Sequence, residues 1–412
     1  MLTKKGLFLT LMVLMLGVTS CQSPLVKERI VPELKHSSVN AKSIPEERQE
    51  GNTLLPQFTP IPTPTLVPVT ATVFQDMPEA PILMYHRFNP KSGSRSEQYK
   101  VSLSDLDSHL ESLYHAGYSL VPLEDWLRGE IILPEGRKPL IITIDDLFYA
   151  DQISLDANGD PAPYSGIGRI WQFYQEHPDF NFHLALFYNF GDKGYPNRYE
   201  NGSFYFVKGW EKDRAEAIAW GIQNSAIPYN HFYNHPNLKR LSPDEIRWHL
   251  EENEAALRDA LSLVGAESLT ENLSNILALP YVIWPETEEG KQELYNYRSP
   301  DGSPVSAILE ANDGALVRPL SAPFSRTFDP YHIKRLNAVQ EAVEAIIMAA
   351  DRIPAAKTCN LGELPVGALS VPTQVKLAIL KQIRQGNCTS GYYTVGQLAF
   401  FADENNVIQL SP

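Results

Sequence analysis

Past about residue 77 the chain alternates between two hydrophobic rhythms. The stretches "APILMYH" (Ala80 to His86), "KPLIITIDD" (Lys138 to Asp146), "FHLALFY" (Phe182 to Tyr188) and "LPYVIWP" (Leu279 to Pro285) are short and almost continuously apolar. That is the signature of strands buried on both faces. Between them lie segments of helical period. Ser104 to His115 sets Leu106, Leu110 and Leu113 on one face, and Ser242 to Val264 does the same with Ile246, Leu250, Leu257 and Leu261. Ser104 with Asp107 and Ser242 with Glu245 have capping-box spacing, and Gly117 and Gly265 stand where the helices would stop. Strand, helix, strand in repeated order predicts an α/β fold with a parallel sheet or barrel. In such folds the chemistry gathers at the carboxyl ends of the strands.

That rule selects four exits: His86, the pair Asp145 and Asp146, the segment with His231 and His235 after "SAIPYN", and Trp284, Pro285 and Glu286. Two adjacent aspartates repel each other when buried, and a bound cation would relieve them; a polar strand end that only caps and turns is the other reading. His231 and His235 are four apart between Pro228 and Pro236. They are either two surface histidines or two ligands, without the glutamate of an HExxH helix. Taken together, one carboxylate and two imidazoles form a three-ligand set that leaves a coordination position open on a zinc-like ion.

The ends of the chain concern its compartment. Lys4 and Lys5 precede an apolar run, Leu7 to Val18, too short to span a bilayer and suited to a signal peptide, predicted over residues 1–20. The run ends in Val18-Thr19-Ser20-Cys21. This resembles a bacterial lipobox, which makes Cys21 the lipidated residue of an exported, membrane-tethered protein; a plain secretory leader with a coincidental cysteine is the alternative. "PQFTPIPTPTLVPVTAT" (Pro56 to Thr72) favours extended polyproline II. Residues 21–76 are therefore expected to be a disordered stalk, 77–353 the main domain and 354–412 a small C-terminal appendage. A formal net charge of −14 argues against nucleic acid as a partner and is compatible with a neutral polysaccharide. In an oxidising compartment Cys359 and Cys388 are expected to pair, with two buried thiols as the alternative. The acids of Asp156 to Gly166 begin at calcium-loop spacing, but Pro161 replaces the required glycine, so an inserted turn is expected. Most of Trp171, Phe173, Tyr174, Trp210 and Trp220 are expected in the core.

Several segments resemble the polysaccharide deacetylase (NodB-homology, carbohydrate esterase family 4) proteins, in particular their poly-N-acetylglucosamine deacetylase branch. "PILMYHRF" looks like the opening strand, "ITIDD" like the Thr-Phe-Asp-Asp-Gly motif, "NHFYNHPNL" like His-(Ser/Thr)-x-x-His, "LSPDEIRWHLEENEAAL" like the helix that follows, and "VIWPE" like a Trp-Pro-Tyr-Gly motif. The likeness covers about residues 80–340. It implies a distorted (β/α) barrel of the NodB type, with Asp145 as catalytic base and Asp146, His231 and His235 as ligands of a divalent metal, zinc before others. It implies deacetylation of N-acetylated sugars in a surface polysaccharide by a monomeric enzyme. Trp284, Glu286 and His86 then fall near the substrate, with the Glu286 N–H facing the oxyanion. Three departures stand out: Leu147 replaces the glycine, Glu286 and Thr287 replace Tyr-Gly, and the family's late histidine has no clear match, with His332 the only histidine after residue 249. A weakened or inactive glycan-binding relative is the alternative. A glycoside hydrolase working through two carboxylates would leave the histidine pair unexplained.

Overall fold

The computed structural model describes residues 65–191, 198–200, 203–271, 273–311, 325 and 327–410. The expected leader, Cys21 and the stalk up to residue 64 lie outside the described residues. Twelve strands carry the argument: β1 (Leu66–Phe74), β2 (Ile82–Tyr85), β3 (Lys138–Leu147), β4 (Leu184–Tyr188), β5 (Ala226–Asn230), β6 (Ile276–Ala278), β7 (Ala307–Ala311), β8 (Ile333–Asn337), β9 (Lys357–Pro365), β10 (Gly391–Val395), β11 (Leu398–Ala402) and β12 (Val407–Leu410). The helices are α1 (Leu103–His115), α2 (Leu123–Arg128), α3 (Gly166–Glu176), α4 (Trp210–Gln223), α5 (Pro243–Ser262), α6 (Glu288–Asn296), α7 (Gln340–Ala349) and α8 (Pro372–Arg384).

Strands β2 to β8 pair in the order β2-β8-β7-β6-β5-β4-β3, and β3 pairs back to β2 with Ile82 opposite Ile141 and Tyr85 opposite Ile144. The result is a closed parallel barrel of 7 strands wrapped by helices, the distorted (β/α) barrel that the periodicity and the resemblance predict. The alternation of each strand sorts its side chains. Ile141, Ala185, Phe187, Tyr229, Ala278, Leu309 and Ile333 pack together in the interior, whereas Ile142, Ile144, Leu184 and Leu186 face out onto Leu106, Leu110, Leu113 and Ile170 of α1 and α3. Both rhythms seen in the sequence are therefore filled by burial. The capping box of α5 is present, Ser242 accepting from the Glu245 N–H. Helix α1 starts earlier than expected: Ser102, not Ser104, caps it by accepting from the Asp105 N–H, because Lys100–Ser102 is a short strand that delivers Ser102 in extended conformation.

Two expectations need correction. The strand read at Leu279–Pro285 is instead β6, Ile276–Ala278, followed by a tight turn in which Tyr281 and Val282 have φ of 54° and 62°. The stalk does not extend to residue 76. Leu66–Phe74 forms β1, the second strand of an antiparallel sheet ordered β9-β1-β10-β11-β12. Pro68 is tolerated there because β10 pairs only with Thr72–Phe74, leaving the Pro68 side of β1 at an edge. The appendage thus takes its strands from both sides of the barrel sequence. α8 covers it, and a disulfide joins Cys359 on β9 to Cys388 after α8. Phe74 and Tyr392 of this sheet pack with Trp126 in the same cluster as the barrel interior. Trp171, Phe182 and Trp220 form a mutual aromatic core, as expected. The Asp156 segment is a turn closed by Asp156 Oδ1 accepting from the Asn158 and Asp160 N–H groups. Among the described residues no helix is long and apolar enough to cross a membrane.

One buried acid of α5 gives the fold a pH dependence. Burial pushes the Glu254 carboxyl up from 4.5 to about 7, against the hydrogen bond from Asn230, the nearby Tyr297 hydroxyl and the charge of Arg258. The folded chain holds this proton more tightly than the unfolded chain. The associated stability is present in full below about pH 4.5 and is lost as pH rises through about 7, on the order of 3 kcal/mol. Glu254→Gln is expected to remove that loss. Its urea-unfolding free energy should fall less than that of the parent between about pH 5 and 7.5; identical slopes would show that Glu254 does not titrate there.

Candidate active site

The site is built at the carboxyl ends of β2, β3, β5 and β8. Asp145 lies on the inward phase of β3, two residues after Thr143, and would be a costly buried charge alone. Arg335 on β8 answers it: Nη1 donates to Asp145 Oδ1 at 2.7 Å and Nη2 to Oδ2 at 2.8 Å. Both residues are almost wholly buried, 2% and 1% exposed. Arg335 is itself held by Thr143 Oγ1 at 3.1 Å and lies over the Phe187 ring. Burial pushes the Asp145 carboxyl up, but the Arg335 charge, His231, the Arg335 hydrogen bonds and His86 together outweigh it. The group stays below the usual carboxylate range and is therefore ionised.

On a regular strand Asp146 would point away from Asp145. Here the register of β3 against β4 shifts: Asp145 stands opposite Phe187 and Leu147 opposite Tyr188, so Asp146 is an extra residue, with φ of 60°. This bulge re-aims its carboxylate toward the pocket. Asn189 Nδ2 donates to Asp146 Oδ1 at 2.9 Å. Leu147, which stands where the family has glycine, is completely buried. It turns away from the pocket, so the positive φ falls to the aspartate before it.

His231 continues the inward phase of β5. Its Nδ1 is hydrogen-bonded to the Ala278 carbonyl at 2.9 Å, which leaves Nε2 to face the carboxylates at 3.8 Å from Asp145 Oδ2 and 3.9 Å from Asp146 Oδ1. Burial lowers its pKa despite the two aspartates, which favours the neutral imidazole a metal requires. The His235 Nε2 is 3.5 Å from Asp146 Oδ1, and its backbone at φ 48° turns the ring back over the mouth. One ligand atom from each of Asp146, His231 and His235 lies within 4.8 Å of the others. The donor set fits a zinc-like divalent ion: two imidazole nitrogens, one carboxylate oxygen, and outer partners that fix Asp146 and His231. Of the residues singled out in the sequence, Asp145, Asp146, His231, His235 and His86 line one cavity of about 350 Å³. Burial lowers the His86 pKa, opposed by Asp145 and Asp146.

Trp284, Glu286 and His332 are not in that lining. Glu286 is exposed and paired with Lys239 Nζ at 3.0 Å, and its N–H donates to the Lys239 carbonyl at 3.1 Å, so it cannot serve an oxyanion. Trp284 Nε1 donates to Glu310 Oε1 at 2.5 Å, and His332 Nδ1 lies 2.9 Å from the same carboxylate, which is on the outer phase of β7. The physical reason is the early end of β6: the chain turns at Leu279-Pro280-Tyr281-Val282, and Leu279, Tyr281 and Val282 line the cavity. This turn, and not Trp284-Pro285-Glu286, brings a Pro-Tyr pair, Pro280-Tyr281, to the pocket. Arg335 was missed, although in "IKRLN" it shares a strand face with Ile333, and an inward charge on a strand calls for a buried partner. Asn189 stands just past β4 and was within reach of the strand-exit rule. Tyr99 also lines the cavity, and no sequence signal marks it.

No family model matches the chain, and no curated protein does. Solved structures similar to it include proteins described as polysaccharide deacetylases and a CE4-family pseudoenzyme from Bacillus anthracis. IcaB from Ammonifex degensii is 18% identical, over 67% of this chain and 99% of that one, with a TM-score of 0.40. The Streptococcus pyogenes deacetylase PplD, solved in complex with acetate, is 16% identical over 66% and 98%, with a TM-score of 0.42. The polysaccharide deacetylase BC0361 from Bacillus cereus is 14% identical over 66% and 69%, with a TM-score of 0.41.

The Asp145–Arg335 pair is open to a double-mutant test. Arg335→Met should lower the unfolding free energy by about 3–5 kcal/mol, because it leaves Asp145 charged and unpaired in an apolar barrel. Adding Asp145→Asn should recover part of the loss. A double variant as unstable as the sum of the two single changes would show that the residues do not compensate each other.

Proposed function

We propose that this chain is a metal-dependent deacetylase that hydrolyses the acetamide of N-acetylated sugar residues in a polysaccharide. The observation that carries this reading is the Asp146–His231–His235 cluster beside an ionised Asp145 locked by Arg335. A divalent ion held by that cluster would polarise the acetamide carbonyl and the attacking water. Asp145 takes a proton from that water as its oxygen bonds to the carbonyl carbon. Arg335 keeps Asp145 ionised and fixes its orientation. The Tyr281 backbone N–H takes the oxyanion role that the resemblance gives to the tyrosine of the third motif. Asp145, protonated in the attack, returns the proton to the amine as the C–N bond breaks, and His86, the remaining histidine of the cavity, lies close to it. The products are acetate and a free amine on the sugar. Zinc is the first choice of ion, from the two imidazoles.

We also propose that the protein is exported and anchored through lipid on Cys21, on the strength of the Leu7 to Val18 run and the residues that follow it. Cys21→Ser should move the protein from the membrane to the soluble fraction without changing its unfolding transition; a variant extracted only by detergent would refute the anchor.

The two aspartates should fail differently. Asp146→Asn removes an anionic ligand, so bound zinc, measured by elemental analysis, should fall sharply together with turnover of an N-acetylglucosamine oligomer. Asp145→Asn keeps all three ligands, so metal should remain while turnover falls by roughly 10²–10⁴, the usual contribution of a positioned base. Equal metal loss in both would reverse or merge the assigned roles. Zinc-loaded parent protein that binds the oligomer without releasing acetate would favour a glycan-binding relative.

A further inference from the structure

Two tyrosines of the cavity lining have unusually free rings for their size. Tyr99 is 53% exposed and Tyr281 61% exposed. Each stands edge-on against a histidine of the site: Tyr99 against His86 with centroids 4.9 Å apart, and Tyr281 against His235 at 4.3 Å. The two histidines leave the barrel from β2 and β5, which are not neighbours. On one path around the barrel β3 and β4 separate them, and on the other β8, β7 and β6. The tyrosines therefore stand at separate points of the rim, one above each histidine. Tyr281 is held there at a cost, since it and the β-branched Val282 both have positive φ. That conformation is disfavoured by about 1–2 kcal/mol per residue and is characteristic of ligand clamps. The exposure of both rings beside the site points to a ligand that contacts an aromatic face, and the backbone at Tyr281 fixes where its ring stands.

We infer that Tyr99 and Tyr281 are specificity-determining residues that hold the pyranose rings flanking the reacting sugar, so that the preferred substrate is an internal residue of a polymer and not a free monosaccharide. This rests on the deacetylase reading of the same site. A pyranose presents a face of C–H groups that packs on an aromatic ring, and its hydroxyls at the edge remain solvated. Tyr supplies such a ring with a polar tip that is stable in water. The cavity, about 350 Å³, is of a size for one sugar with its acetamide. Neighbouring residues of the chain would then lie over the rim, where the two rings are.

The test is kcat/KM for acetate release by the zinc-loaded enzyme from N-acetylglucosamine oligomers of increasing length, from the single sugar to the pentamer. In Tyr99→Ala the loss should grow with length and be about tenfold greater on the pentamer than on the single sugar, mostly in KM. Tyr99→Phe should keep the length preference of the parent, because the ring and not the hydroxyl makes the contact. Metal content and the unfolding midpoint of each variant are measured in parallel. A Tyr99→Ala loss that is the same at all lengths, or absent, would overturn the inference while leaving the deacetylase reading intact. If the parent releases no acetate, oligomer binding is measured by calorimetry instead. Affinity that rises with length and falls in Tyr99→Ala supports the clamp even though the catalytic reading has failed, and affinity indifferent to Tyr99 overturns it.

Discussion

A carboxylate and a guanidinium sealed among apolar strands set the terms for the upper half of this barrel. Asp145 and Arg335 are on β3 and β8, which are not adjacent; β2 pairs with both and lies between them. Each charge makes the other tolerable at a position almost wholly buried. The pair can form only when the barrel is closed, and once formed it fixes the distance across the barrel at the level of the pocket. Below it the interior is hydrocarbon, from Ile141 and Leu309 to Phe74 and Trp126. Above it His86, His231, Asn337 and Ala311 are polar or small enough to leave room, and Leu279, Tyr281 and Val282 close one side of the pocket.

The backbone at the rim departs from regular geometry where the side chains must converge. Asp146, Phe232, His235, Tyr281 and Val282 all have positive φ without being glycine; Asp146 is the bulge near the end of β3, and the others lie just past the ends of β5 and β6. Ordinary strand exits would send alternate side chains to opposite faces. The bulge at Asp146 breaks that alternation, which is how two consecutive aspartates serve one pocket. Their division of labour follows from depth: Asp145 is buried on the guanidinium, while Asp146 is half-exposed, held by Asn189 and open to the two imidazoles.

The buried strands β2, β3 and β4 and the long helix α5 could be read from the sequence because burial on both faces and helical period leave dense patterns. The strand-exit rule then led to Asp145, Asp146, His231, His235 and His86. It failed at "LPYVIWP", where an apolar run reads equally well as strand or turn; β6 ends at Ala278, and the positive φ values that redirect the chain have no glycine to announce them. Trp284 and Glu286 were displaced by that one error. Arg335 was hidden for another reason: β8 is five residues long with two cations in it, and its apolar density is too low to mark it as a barrel strand. The role of β1 was masked by Pro68 and by the prolines that precede it. A Pro-rich stretch usually stays extended and solvated, and here a non-local partner, β9, supplies the pairing that makes Leu66–Phe74 a strand.

That non-local pairing bears on the order of assembly. The barrel closes by pairing β8 with β2, and the second sheet forms by pairing β1 with β9 and β10, so both closures join the beginning of the folded chain to its end. Contacts of such sequence separation carry a large loop-closure entropy and form late. During synthesis the three residues of the metal cluster are all present well before β8 emerges, but Asp145 still lacks its guanidinium. A chain that ends before residue 333 has every candidate ligand and no closed barrel to hold them. The pocket is thus a property of the completed chain.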